Sequence, residues 1–197
     1  MSEIDAAVAH FRPVPWAAAI LDDSAWTPTS SETRTVKPGT TEDSFIAQTA
    51  KTDRTIRAYV TLRPSQADDD QETAYKQLRT LVDIGDGLDG HPRVLHGGFV
   101  ATLLDEVCGM IVTLNLDKKT ERLREAGLTV PHRGAYLTAY LNTSYKRPVP
   151  TPGPLLCTSW IEKRERNKVY VKGTIEDGRG TIYALGDAMF VEFKGKL

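Results

Sequence analysis

The sequence predicts an α+β domain in which a curled antiparallel sheet wraps around one long central helix, with an N-terminal helical arm. Three observations predict it. The segment His96 to Leu116 is apolar on nearly every side, shorter runs with strand patterning flank it in the chain, and turn-forming clusters separate those runs. A helix that is apolar all round must be buried, and a sheet that curls around it is the simplest enclosure. With 197 residues the chain can bury a full core. Residues 75–197 are expected to form the main domain, with residues 1–74 supplying an arm and a leading strand that pack on it as one structural unit.

Residues 1–44 combine short apolar pieces, Trp16 to Leu21 among them, with the run TPTSSETRTVKPGTTED, which reads as a helical arm followed by loop. From Thr55 to Leu62 the residues Ile56, Ala58, Val60 and Leu62 alternate with Arg57, Tyr59 and Thr61, a period of two that predicts a half-buried strand ended by Pro64. DDDQE at 68–72 reads as a solvated turn, Tyr75 to Ile84 as a second strand, and GDGLDGHPRVL as a loop. In HGGFVATLLDEVCGMIVTLNL the only charges are Asp105 and Glu106, so the helix is a core helix, too short and interrupted to read as a membrane span. The charged stretch DKKTERLREAGLTVPHRG follows as an exposed insert. AYLTAYLNTSYKRPVP then begins as a strand and is stopped by Pro148 and Pro150. Leu155 to Glu162, Lys168 to Ile175 and Thr181 to Phe193 form an antiparallel meander whose turns are Arg-Glu-Arg-Asn and Asp177-Gly178-Arg179-Gly180.

Composition narrows the function classes. Apolar residues at 40% and charged residues at 26% exclude a disordered tail. A net charge of -1 offers no general attraction to nucleic acid or to an anionic membrane, so neither is expected as a partner. That total is a cancellation: residues 1–95 hold 10 basic and 15 acidic side chains, residues 96–197 hold 15 and 11. Lys118, Lys119, Arg122, Arg124, Arg133, Lys146 and Arg147 form a basic stretch suited to a nucleotide. Cys108 and Cys157 lie far apart without the spacing of a zinc site, so no metal is expected. The first residues carry Glu3 and Asp5 and no long apolar run, which predicts a cytoplasmic protein, with mitochondrial or peroxisomal placement left open.

The chemistry is sought on the central helix. Its first amides have no internal acceptor, and His96-Gly97-Gly98 stands where it begins, so the amide of Gly97 or Gly98 is placed to polarise a carbonyl. The same residues also make a tight loop-to-helix turn. Asp105 is a carboxylate in the middle of an apolar helix, where it must be solvated, paired or used. Its neighbours on the helix face, Ala101, Thr102, Cys108 and Gly109, are small and leave room for a ligand; a bond to Thr102 or a backbone amide is the alternative. Glu106 reads alternatively as the exposed end of the helix surface. Gly97 and Asp105 are eight residues apart, about 12 Å at ~1.5 Å per residue, so they cannot serve one carbonyl carbon within one chain. If both act together, two copies of the helix run antiparallel across a twofold axis.

HGGFVATLLDEVCGM, followed by LTAYLNTSYKRPVP, resembles the hotdog-fold acyl-CoA thioesterases of the PaaI-like, thioesterase-superfamily type. The similarity runs in order over residues 75–193, with LDGHPRVLHGG and YKRPVP as its most specific strings. The resemblance implies a hotdog fold, a homodimer with a continuous sheet or a dimer of dimers, and acyl-CoA as substrate, with no other cofactor. It also implies that Gly97 is the oxyanion-hole amide with His96 shaping its turn, that Gly98 lies at the substrate, and that Asp105 is the nucleophile or the base that activates water. Thr138 then orients the water or the carboxylate, Asn142 and Tyr145 line the pocket, and Lys146 and Arg147 meet the phosphates of coenzyme A.

A hydratase of this fold would pair the Asp with a His five residues on, where this chain has Met110. A non-catalytic acyl-CoA binding module would not need Asp105. A regulator would need an added DNA-binding helix pair, which the acidic balance of residues 1–95 opposes. The nearest rival is a thioesterase or acyl-transfer enzyme acting on carrier-bound acyl chains in secondary metabolism.

Overall fold

The computed structural model describes residues 2–70, 72–130 and 135–193. Helix α1 (Glu3–Phe11) starts at a capping box, in which the Ser2 hydroxyl accepts from the Asp5 amide and the Asp5 carboxylate accepts from the Ser2 amide, both at 3.1 Å. Helix α2 (Pro15–Asp22) opens on a proline, which fits the first turn of a helix. Phe11, Ala17 and Leu21 of this arm are buried against Ala58, Val60, Leu62, Leu81 and Leu156. The arm therefore covers the outer face of its own sheet.

Strands β1 (Trp26–Thr29), β2 (Ile56–Pro64) and β3 (Gln77–Ile84) lead into a small hairpin of β4 (Asp89–His91) and β5 (Val94–Leu95), then helix α3 (Gly97–Glu125). After it come β6 (Ala135–Tyr145), β7 (Gly153–Glu165), β8 (Lys168–Glu176) and β9 (Ile182–Phe193). The main sheet has the order β1-β2-β3-β7-β8-β9-β6, antiparallel throughout. The meander β7-β8-β9 is as the turn clusters predict. Strand β1 was not expected: its Thr27 and Pro28 lie in the Ser/Thr/Pro-rich run, and it exists because it pairs with the outer half of β2.

Helix α3 lies on the inner face, packed against β3 and β6 to β9. Leu103, Leu104, Val107 and Ile111 are fully enclosed there, each contributing about 1.5–3 kcal/mol through burial. Gly173 and Gly186 face each other across β8 and β9, and they let the helix come close. A Cβ on Gly173 would stand 2.8 Å from Cys108 Sγ, and one on Gly186 would stand 3.3 Å from Leu104. By length and composition α3 could cross a membrane, but more than half of its apolar window is buried inside the protein.

The helix is longer than its apolar pattern, running through Asp117 to Glu125 where an irregular insert is expected from sequence. Local ion pairs and long-range anchors carry the extra turns. Lys118 pairs with Glu121 at 2.6 Å, Lys119 with Glu72 at 2.5 Å, and Arg122 donates to the carbonyls of Asp68 and Asp70. Arg122 and Arg124 also sit in the last turn, where cations suit the helix dipole.

Candidate active site

His96 caps α3. Its Nδ1 accepts from the Gly98 amide at 3.0 Å, so the Gly98 amide is committed to the cap. The Gly97 amide donates no hydrogen bond among the described residues. The turn is fixed from behind: the His96 amide donates to Leu88 O at 2.8 Å, the Leu95 amide to Val149 O at 3.0 Å, and Asp89 accepts from the Thr151 hydroxyl. From the end of β6 the Tyr145 hydroxyl donates to Gly97 O at 2.8 Å. His96, Gly97 and Gly98 are all solvent-exposed.

One face further along α3, the Thr138 hydroxyl donates to Asp105 Oδ1 at 2.9 Å, leaving Oδ2 without a protein partner among the described residues. Asp105 is half-buried and Thr138 exposed, on the wall of a cavity of about 590 Å³. Burial pushes the Cys108 thiol up to about 12, so this neighbour stays protonated and is no competing nucleophile.

Within one chain the expected residues fall into two groups. Asp105 and Thr138 form one. His96, Gly97, Gly98 and Tyr145 form the other, with the exposed Lys146 and Arg147 beside Tyr145 in sequence. Asn142 belongs to neither. Leu141 packs into the core under α3 and Tyr145 reaches Gly97, so residue 142 points to the opposite face of β6. The basic stretch is also divided, because Lys118 lies 21 residues from Gly97 along α3, about 32 Å at ~1.5 Å per residue. Arg133 lies outside the described residues.

Glu106 is not the exposed end of the helix surface. It is half-buried rather than exposed, accepts from the Thr33 hydroxyl, and shares the cavity wall with Asp105. Thr33 belongs to a strap, residues 31–50, held against β2 by the buried Arg34, whose guanidinium donates to Ile46 O at 3.1 Å and Ile56 O at 3.5 Å. Desolvation raises the Glu106 carboxyl above its ordinary value, against the opposing bond from Thr33, with Asp43 and Asp105 adding repulsion. A raised folded-state value means that the charged form costs stability above it, a cost absent below the unfolded value. Glu106→Gln is therefore expected to raise the thermal midpoint near neutral pH and to leave it unchanged at about pH 3.5. Equal shifts at both pH values, measured by calorimetry, would show that the charge is not the source. The signal for Glu106 was present in the sequence, since the argument applied to Asp105 holds equally for the next residue.

Residues 93–184 match the family model described as the thioesterase superfamily. Over these residues, a little under half of its length, the chain is similar to that superfamily. Among curated relatives, it is 28% identical over 120 residues to the acyl-coenzyme A thioesterase THEM4 of Rattus norvegicus, covering 60% of this chain and 44% of the relative. The Bos taurus protein of the same name is 28% identical over 118 residues, 59% of this chain and 41% of the relative. The chain thus spans less than half the length of these relatives. The zebra fish thioesterase superfamily member 2 is similar in fold, with a TM-score of 0.50 at 15% identity, covering 81% of this chain and 89% of that one. The curled seven-stranded sheet around a central helix is the hotdog fold. The strap and the α1–α2 arm precede the matched residues.

Proposed function

We propose that this chain is a member of the thioesterase superfamily and an acyl-CoA thioesterase whose active sites lie between two copies of the chain. The observation that carries the reading is the Thr138–Asp105 hydrogen bond, which orients a carboxylate on a cavity wall and leaves its second oxygen available. The named activity of the relatives supports the same chemistry.

In this reaction Asp105 takes a proton from water, and the hydroxide adds to the thioester carbonyl carbon. The Gly97 amide of the second copy holds the oxyanion. Collapse of the tetrahedral intermediate breaks the C–S bond and releases the coenzyme A thiolate, which needs little acid assistance, together with the carboxylic acid. Direct attack by Asp105 would pass instead through an anhydride that water then opens. Lys146 and Arg147 of the copy that supplies Gly97 lie where the coenzyme A phosphates would pass, and Tyr145 holds the turn.

Strand β6 supports the dimer. It is an edge strand of 11 residues without a charged side chain, with Leu137 43% and Tyr140 37% exposed. Soluble proteins guard free edges with charge, so an uncharged edge of this length fits pairing with its own copy. Such pairing would lay two α3 helices antiparallel and bring Gly97 of one toward Asp105 of the other. Thiol release from a panel of aliphatic and aromatic acyl-CoA esters is expected with the wild-type protein. Coenzyme A binding without release from any ester would replace hydrolysis with a binding role.

A further inference from the structure

The cavity beside Asp105 has a charge pattern that bears on which acyl groups it accepts, an inference that rests on the thioesterase reading above. Much of its wall is apolar, built from Met110, Val112 and Leu116 of α3, Tyr136 and Leu137 of β6, and Phe190 of β9. Near Asp105 the wall is acidic, with Glu106 from the helix and Glu42 and Asp43 from the strap. No Lys, Arg or His lines the cavity among the described residues. Lys37 pairs with Glu42 at 2.5 Å and Asp43 at 2.7 Å and so offsets part of the strap's charge, while the guanidinium of Arg34, which also acts on Glu106 through space, is bonded to backbone carbonyls.

We propose that Glu106, held by Thr33 of the strap, makes this pocket selective for acyl groups without negative charge and excludes acyl chains that end in a carboxylate. Such a carboxylate would leave water for an apolar wall and stand beside Asp105 and Glu106 with no cation on the wall among the described residues of this chain. Building repulsion against a competitor is a general route to specificity. The bond from Thr33 does not require the charge, because a glutamine oxygen would accept it equally well. The strap lies outside residues 93–184, so this selectivity would be an addition to the superfamily core.

The experiment uses non-hydrolysable S-alkyl-CoA thioethers and ω-carboxyalkyl-CoA thioethers of equal chain length, with binding measured by calorimetry. Wild type is expected to prefer the alkyl analogue by at least about tenfold, and Glu106→Gln to reduce that ratio by about tenfold. Asp43→Asn is the second variant, since asparagine tolerates the left-handed backbone at φ 59°; it is expected to reduce the ratio by a smaller factor. Equal binding of both analogues by wild type overturns the proposal, as does a ratio unchanged in both variants. Thiol release from the matching thioesters is read in parallel. Selective binding without turnover upholds the charge selectivity and removes hydrolysis, whereas turnover without selectivity does the reverse.

Discussion

Asp105→Asn is expected to lower kcat/KM for acyl-CoA hydrolysis by about 10²–10⁴, the range for removing a positioned acid–base group. The substitution is isosteric. An asparagine oxygen still accepts from the Thr138 hydroxyl, so the α3–β6 contact and the cavity remain. What disappears is the negative charge that takes a proton from water or attacks the carbonyl. Thiol release under saturating and subsaturating substrate separates this loss from weakened binding: kcat and kcat/KM should fall together, with little change in KM. Equal turnover by both proteins would falsify the assignment of Asp105, whichever of the two routes it serves.

Gly97→Pro is expected to cost about 10²–10³ in kcat, while Gly97→Ala retains most activity, because the removal of one oxyanion donor has effects of that size. Gly97 is the first residue of α3, where proline is tolerated and its missing N–H costs no helix bond. The residue before a proline must be extended, and His96 already is, at φ -58° and ψ 130°. A Cβ at position 97 would meet Tyr145 Cε1 at 3.6 Å, an ordinary contact, so the alanine variant fits and keeps its amide. Mixing the Gly97→Pro and Asp105→Asn proteins supplies a further readout. If each site takes its amide from one copy and its carboxylate from the other, mixed dimers contain one intact site and recover activity that neither parent has. Absence of recovery in verified mixed dimers would overturn the two-copy site, since about 12 Å separates the two groups within one chain.

The layers of the fold were legible because they rest on periodicity. Ile56 to Leu62 forms β2 as its period of two predicts, although it is buried on both faces rather than half-buried because the α1–α2 arm covers Ala58, Val60 and Leu62, and the three runs after Leu155 form the meander in their expected order. Asp105 was legible because a carboxylate in an apolar helix conflicts with its surroundings, and it stands on a cavity wall. The extra turns of α3 were not, since residues 117–125 hold a single apolar side chain, Leu123, and are held by Glu72 and the carbonyls of Asp68 and Asp70, more than 40 residues away in the chain. β1 escaped for a similar reason: four residues in a Thr/Pro-rich stretch become a strand only because β2 offers them an edge.

The apolar central helix, the meander β7-β8-β9, the candidate turn at His96 to Gly98 and the carboxylate at Asp105 all follow from local pattern, because hydrophobic period and the cost of a buried charge act on neighbouring residues. Chain packing settles what distant segments do to one another. The Gly98 amide is taken by His96 while that of Gly97 is left over, Asn142 is turned to the far face of β6, and the strap brings Thr33 to Glu106 across 73 positions of sequence. Those contacts depend on side-chain direction and on the path of loops with no period of their own, which is why Glu106, read as an exposed helix end, stands instead on the wall of the same cavity as Asp105.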